Sequence, residues 1–109
     1  MTYRVRMTEC AVEQMQQSAV YISRVLLEPV SAMRWAEKMK KEIESLNELP
    51  LRFPLTDEEP WRSNGVRKMP VGNFLVYYWV SEEERAVWVI AVLYGRRDQL
   101  SALKNVPME

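Results

Sequence analysis

Residues 66 to 98, VRKMPVGNFLVYYWVSEEERAVWVIAVLYGRRD, constrain the fold more than any other stretch. Three runs rich in β-branched and aromatic residues, VRKMPV, NFLVYYWV and AVWVIAVLY, are punctuated by Gly72-Asn73 and by Ser81 to Arg85. Short connections of this kind join neighbouring antiparallel strands, so the stretch predicts a three-strand meander. The third run has no charged residue from Ala86 to Tyr94, and both of its alternating sets are apolar. Val87, Val89, Ala91 and Leu93 form one set; Trp88, Ile90, Val92 and Tyr94 form the other. A sheet wetted on one face alternates apolar with polar residues. This one does not, so each face needs a cover. The chain can supply one of them, and the other is assigned to a partner.

The internal cover lies upstream. Thr2 to Met7 alternates Tyr3, Val5 and Met7 with Thr2, Arg4 and Arg6, the pattern of a strand buried on one face, and its charges suit an edge. Thr8 can cap the helix that follows, with Glu9 in the positive first turn. Ala11, Met15, Ala19, Ile22 and Leu26 then recur at helical spacing. Pro29 stops that helix or opens the next. Ala32, Trp35, Ala36, Met39, Ile43 and Leu46 repeat the stripe, with Arg34, Lys38, Lys40, Lys41, Glu42 and Glu44 on the wet side. Two helices joined by so short a break form an antiparallel hairpin, and their joint apolar surface covers one face of the sheet.

Leu49 to Gly65 has three prolines and no usable period, which predicts a loop longer than compact domains usually carry. After the meander, Leu100 and Leu103 suit a short helix ahead of Pro107. The predicted class is α+β, in the order β-α-α-β-β-β: a helical hairpin packed on a four-stranded, mainly antiparallel sheet, with the first strand paired to a meander strand. One domain spanning residues 1–109 is expected.

Composition excludes several functions. The chain carries 15 basic and 15 acidic side chains, so no overall field draws in nucleic acid, although a local patch from Arg62, Arg67, Lys68, Arg96, Arg97 and Lys104 stays open. It has no histidine, which removes His-ligated zinc, Ser-His and Cys-His nucleophile pairs and imidazole acid–base chemistry. Its single cysteine, Cys10, cannot form an internal disulfide, which fits a reducing cytosol. No apolar run approaches the ~20 residues of a membrane span, and MTYRVRMTE has no signal-peptide pattern.

The order of elements, the Leu-Pro that ends the hairpin, and the segments GVRKMPVGNFLVYYWV and VLYGRRD together resemble the RelE/ParE superfamily. These are toxins of bacterial type II toxin–antitoxin operons, also called plasmid-stabilisation proteins. The resemblance implies a small cytoplasmic toxin without cofactor or metal, held in a toxin–antitoxin hetero-oligomer by an antitoxin that lays a segment across its sheet. It also implies one of two targets. RelE-like members enter the ribosome and cleave mRNA with Lys, Arg and Tyr side chains. ParE-like members bind DNA gyrase and stall it.

In-line attack by a ribose hydroxyl needs a base, an acid and positive charge on the phosphate. The RelE-like pattern puts basic residues on the first meander strand, where Arg67 and Lys68 stand, and an arginine after the last strand, where Arg96 and Arg97 stand. It puts an arginine early in the second meander strand, where this chain has Asn73-Phe74, and a tyrosine in the tail, where this chain has none. Tyr77, Tyr78 or Tyr94 could substitute in principle, but nothing in the sequence places one of them there. The departures favour a ParE-like gyrase inhibitor. The alternatives are a ribosome-dependent mRNA endonuclease using Arg67, Lys68, Arg96 and Arg97, and an inactive relative that only binds antitoxin. For binding antitoxin or target, the candidates are Trp61, Arg67, Tyr77, Tyr94, Arg96 and Arg97.

Plainer roles stand beside these. Arg96, Arg97 and Asp98 also suit a strand-end charge cluster with Asp98 as a helix cap, and Arg67 and Lys68 suit the charges of an edge strand. Asp57-Glu58-Glu59, with no histidine or cysteine nearby, reads as a solvated loop rather than a metal site, and Glu82-Glu83-Glu84 as a solvated turn. Trp35, Trp79 and Trp88 read as core. Trp61, in the proline-rich loop, is the tryptophan placed to close over a groove. Cys10 has no basic neighbour in sequence to activate it.

Overall fold

The computed structural model describes residues 2–25, 27 and 29–94. Leu26, the tail helix expected around Leu100 and Leu103, and Arg96, Arg97, Asp98 and Lys104 lie outside the described residues. Strand β1 (Arg4–Met7) leads into helix α1 (Glu9–Val20), a π-helical turn (Tyr21–Val25) and helix α2 (Pro29–Glu44). Strands β2 (Arg67–Val71), β3 (Phe74–Ser81) and β4 (Ala86–Tyr94) form the meander. The sheet runs β1-β4-β3-β2, with β1 parallel to β4 and the other pairs antiparallel. This is the expected helical hairpin on a mixed four-stranded sheet, with the alternating-charge β1 at one edge.

The helices cover one face as their stripes predict. Ala11, Met39, Ile43 and Leu46 pack against Met69, Val76, Tyr78, Val87 and Val89 in a single apolar cluster. Burial of side chains of this size contributes roughly 1.5–3 kcal/mol each, which fixes the hairpin on the sheet. Tyr78 stays in this layer because its hydroxyl donates to the Pro50 carbonyl at 2.5 Å. Burial, partly offset by Arg67 and Arg52, pushes that hydroxyl from 10.0 up to about 12. Since the folded value is the higher one, this stabilisation is complete below pH 10 and disappears as the pH rises towards 12. An alkaline titration followed by circular dichroism is expected to show unfolding in that window, with a shallower limb in Tyr78→Phe.

Strict alternation fails in β4. Tyr77 pairs with Ala91 while its neighbour Tyr78 pairs with Val89, which leaves Ile90 as an extra residue in a β-bulge. Side chains beyond the bulge change face. Val87, Val89 and Val92 therefore meet the helices, while Trp88, Ile90, Ala91 and Leu93 lie on the opposite face. The bulge leaves backbone groups that α1 satisfies. The Thr8 N–H donates to the Val89 carbonyl at 3.0 Å, its Oγ1 donates to the Ile90 carbonyl at 3.4 Å, and the Val92 N–H donates to Gln14 Oε1 at 2.8 Å. Thr8 Oγ1 also accepts from the Ala11 N–H at 3.2 Å, so one buried hydroxyl caps α1 and anchors the bulge. Thr8→Val is expected to lower stability by about 1–2 kcal/mol in urea unfolding.

The second face has a cover of its own. Residues 54–66 form a strap closed on itself by the Thr56 N–H to Val66 carbonyl hydrogen bond (2.9 Å) and bound to the β2 edge by the Lys68 N–H to Pro54 carbonyl bond (3.1 Å). The strap lays Trp61 and Val66 over Tyr77, Ile90, Ala91 and Leu93. The long loop thus supplies part of the cover that the sequence pattern assigned to a partner. Glu82 and Glu84 are exposed but engaged: Glu82 accepts from the Tyr3 hydroxyl at 2.8 Å, and Glu84 from the Trp88 indole at 3.0 Å.

Candidate functional site

Arg67 and Lys68 are neighbours on an edge strand, so their side chains leave opposite faces of the sheet. Arg67 pairs in register with Tyr78 on the helix side. Its guanidinium donates to the Phe53 carbonyl at 2.6 Å and to the Leu51 carbonyl at 3.4 Å, tying β2 to the turn that follows α2. Lys68 pairs with Tyr77 on the strap side, and its ammonium lies 3.9 Å from Glu58 Oε1. The Glu58 side chain is only 14% exposed and also accepts a hydrogen bond from the Thr56 hydroxyl. Sequence reasoning dismissed Glu58 as part of a solvated loop. A single acidic triplet cannot reveal which member turns inward; only the path of the strap decides it. Its neighbours go elsewhere, Asp57 to Arg62 and Glu59 to Ser63.

Trp61 is 7% exposed and Tyr77 is fully buried. Burial first, then the Glu58 charge, pushes the Tyr77 hydroxyl well above the ordinary tyrosine range, so it is a neutral phenol at physiological pH. Neither side chain offers an exposed binding surface in this conformation. Cys10 is half-buried against the same cluster, and burial together with Glu13 raises its thiol pKa, which suppresses nucleophilic reactivity.

Tyr94 stands apart from these, at the end of β4. There Trp35, Phe74 and Tyr94 form an aromatic row, with ring centroids 4.9 Å apart for the first pair and 5.6 Å for the second. The row borders an open groove of about 940 Å³ between the helical hairpin and the β2–β3 turn, also lined by Tyr21 and Lys38. None of these except Tyr94 was singled out as a binding residue from sequence. Their apolar periodicity marks them as core, and the groove exists only because the π-helical turn and the meander end beside one another. The structure therefore separates the candidates into β2 and its strap (Trp61, Arg67, Lys68, Tyr77) and the groove (Tyr94), while Arg96 and Arg97 lie outside the described residues.

A helical hairpin on a β1-β4-β3-β2 sheet with a parallel outer pair defines the RelE/ParE class of toxin folds. Residues 5–99 match the family described as the ParE toxin of the type II toxin–antitoxin system parDE, and the chain belongs to that family. It is a toxin of the type II class. Among solved structures, the chain is similar to one of the chromosomal ParDE system of P. aeruginosa, with 14% identity, a TM-score of 0.70, and coverage of 85% of this chain and 96% of that one. It is also similar to a free RelE toxin mutant from E. coli, at 19% identity and TM-score 0.61, covering 94% of this chain and 93% of that one. A third is the RelBE2 toxin–antitoxin complex from Mycobacterium tuberculosis, at 20% identity and TM-score 0.57, covering 86% and 99%. At these identities the solved structures speak for the fold alone. No curated protein matches the chain.

Proposed function

We propose that this chain arrests bacterial growth as a ParE-like toxin, by binding DNA gyrase, and that a cognate antitoxin holds it inactive. The observation that carries this reading is the engagement of both β2 cations. Arg67 is spent on the carbonyls of Leu51 and Phe53, and Lys68 on Glu58. A phosphodiester-cleaving site needs such cations directed at substrate. Here they fasten a strap to the sheet. The missing arginine at Asn73-Phe74 and the absence of a tail tyrosine support the same conclusion, as does the zero net charge, since a protein working within ribosomal RNA gains affinity from surplus basic charge. No helix among the described residues is long and apolar enough to cross a membrane.

Induction of the chain alone in a bacterial host tests this. The expected outcome is growth arrest with filamentation and altered plasmid supercoiling while bulk translation persists. Immediate collapse of translation, with message cut inside codons, would assign the chain to the RelE-like alternative. Harmless expression would leave it as an antitoxin-binding relative.

A further inference from the structure

The strap over the second sheet face is bonded largely to itself. The Thr56 N–H to Val66 carbonyl bond closes its neck, and the N–H groups of Arg62, Gly65 and Val66 donate to the carbonyls of Glu58 (2.8 Å), Arg62 (3.0 Å) and Trp61 (3.0 Å). Its side chains also pair internally, Asp57 with Arg62 at 3.8 Å and Glu59 with Ser63. A compact loop whose ends meet and whose contacts are its own is an Ω-loop, a kind of segment that frequently carries function. Its hold on the sheet is slighter. Beyond the neck, it rests on the Trp61 ring over Tyr77, Ile90 and Ala91, and on the Glu58–Lys68 pair. At 3.9 Å that pair is longer than a hydrogen bond. The buried Trp61 indole N–H has no hydrogen-bond partner among the described residues, so closure takes from water a donor that it does not satisfy. Where neck meets body, Gly65 stands at φ +81 with nothing within 4 Å of the Cβ position, which leaves the backbone free to turn.

From this geometry we infer that the strap is a latch: residues 57–65 swing off the sheet as one body, with Gly65 as the hinge and the Glu58–Lys68 pair as the catch. The closed form withholds what lies beneath it. Opening lifts Trp61 from the face, parts the Lys68 ammonium from Glu58, and brings Tyr77, Ile90 and Ala91 to solvent in one motion. The helix-facing core of Val76, Tyr78, Val87 and Val89 is untouched by that motion, so opening costs less than unfolding. The latch therefore controls access to a surface that the closed fold does not present. The inference stands on the strap alone and holds whether the chain acts on gyrase or on the ribosome.

Thiol labelling of the full chain with an aromatic disulfide reagent tests the latch. Cys10→Ser removes the native thiol, and Ala91→Cys places one beneath Trp61. Leu93→Cys, a change to a smaller side chain in the same cluster, serves as a second probe should the first disturb the fold by circular dichroism. Val87→Cys or Val76→Cys places a reference thiol beneath the helices. Each rate is normalised to that of the same variant unfolded. The thiol under the strap is expected to react about tenfold or more faster than the reference, at a rate that low urea hardly changes, since opening exposes little surface. Adding Glu58→Gln, which keeps the shape and removes the charge, is expected to speed the strap-side thiol about tenfold and to leave the reference rate unchanged. Equal rates on the two faces would overturn the proposal. So would a Glu58→Gln effect that moves both thiols alike, or neither.

Discussion

Trp61→Ala is expected to destabilise the protein by about 3–5 kcal/mol, the cost typical of removing a large buried aromatic side chain. Trp61 is the main side chain that the strap inserts over the second sheet face, where it meets fully buried Tyr77, Ile90 and Ala91. Its removal leaves a cavity against rigid strands that cannot collapse to fill it. Among the described residues the strap is held along its edge by a few backbone hydrogen bonds and the Glu58–Lys68 pair, so loosening is expected to spread to that pair. Chemical unfolding monitored by circular dichroism measures the loss directly. The comparison that gives it meaning is Trp61→Phe. Among the described residues the buried Trp61 indole N–H has no hydrogen-bond partner, so phenylalanine gives up some area but also removes that unsatisfied donor. That variant is expected to lie within about 1 kcal/mol of the parent. Equal losses for alanine and phenylalanine would mean that the ring does not fill the face as described.

Arg67→Met is the second change with a large expected effect. It keeps the unbranched stem on the sheet and removes the guanidinium that donates to Phe53 and Leu51. Hydrogen bonds from a charged donor contribute about 1.5–3 kcal/mol, and that is the expected loss of stability. The functional expectation separates the two target readings. If Arg67 is structural, growth arrest at a temperature where the variant remains folded persists. If Arg67 acts on a phosphodiester, arrest vanishes although the protein is folded. The assay therefore needs soluble, folded protein measured beside the growth curve.

Much of the architecture is legible in the sequence because it depends on local pattern. The hairpin stripes, the Thr8 cap and the polar turns of the meander each appear as spacing within a short window. What was not legible depends on contacts distant in sequence. The Ile90 bulge cannot be read from AVWVIAVLY, since every residue there is apolar and either face would accept it. It is set by pairing with Tyr77 and Tyr78 and by the hydroxyl of Thr8, more than eighty positions earlier. The strap escaped for a related reason: a segment with three prolines has no period, and its order comes from the β2 edge and the Trp61 pocket. The candidate site divides along the same line. Arg67 and Lys68 are visible as basic residues on a strand, whereas their occupation by Leu51, Phe53 and Glu58 is visible only in three dimensions. The groove residues Tyr21, Trp35 and Phe74 resemble any apolar stripe until the helices and the β2–β3 turn are seen together.

The most direct test of the central claim, that this fold acts by binding gyrase rather than by cutting message, uses purified components. The chain is added in parallel to a gyrase supercoiling reaction and to a cell-free translation reaction. Inhibition of supercoiling is expected at micromolar protein, with full-length message still intact in the translating extract. Untouched supercoiling together with message cleaved on the ribosome would contradict it, and would mean that Lys68 leaves Glu58 to act on RNA.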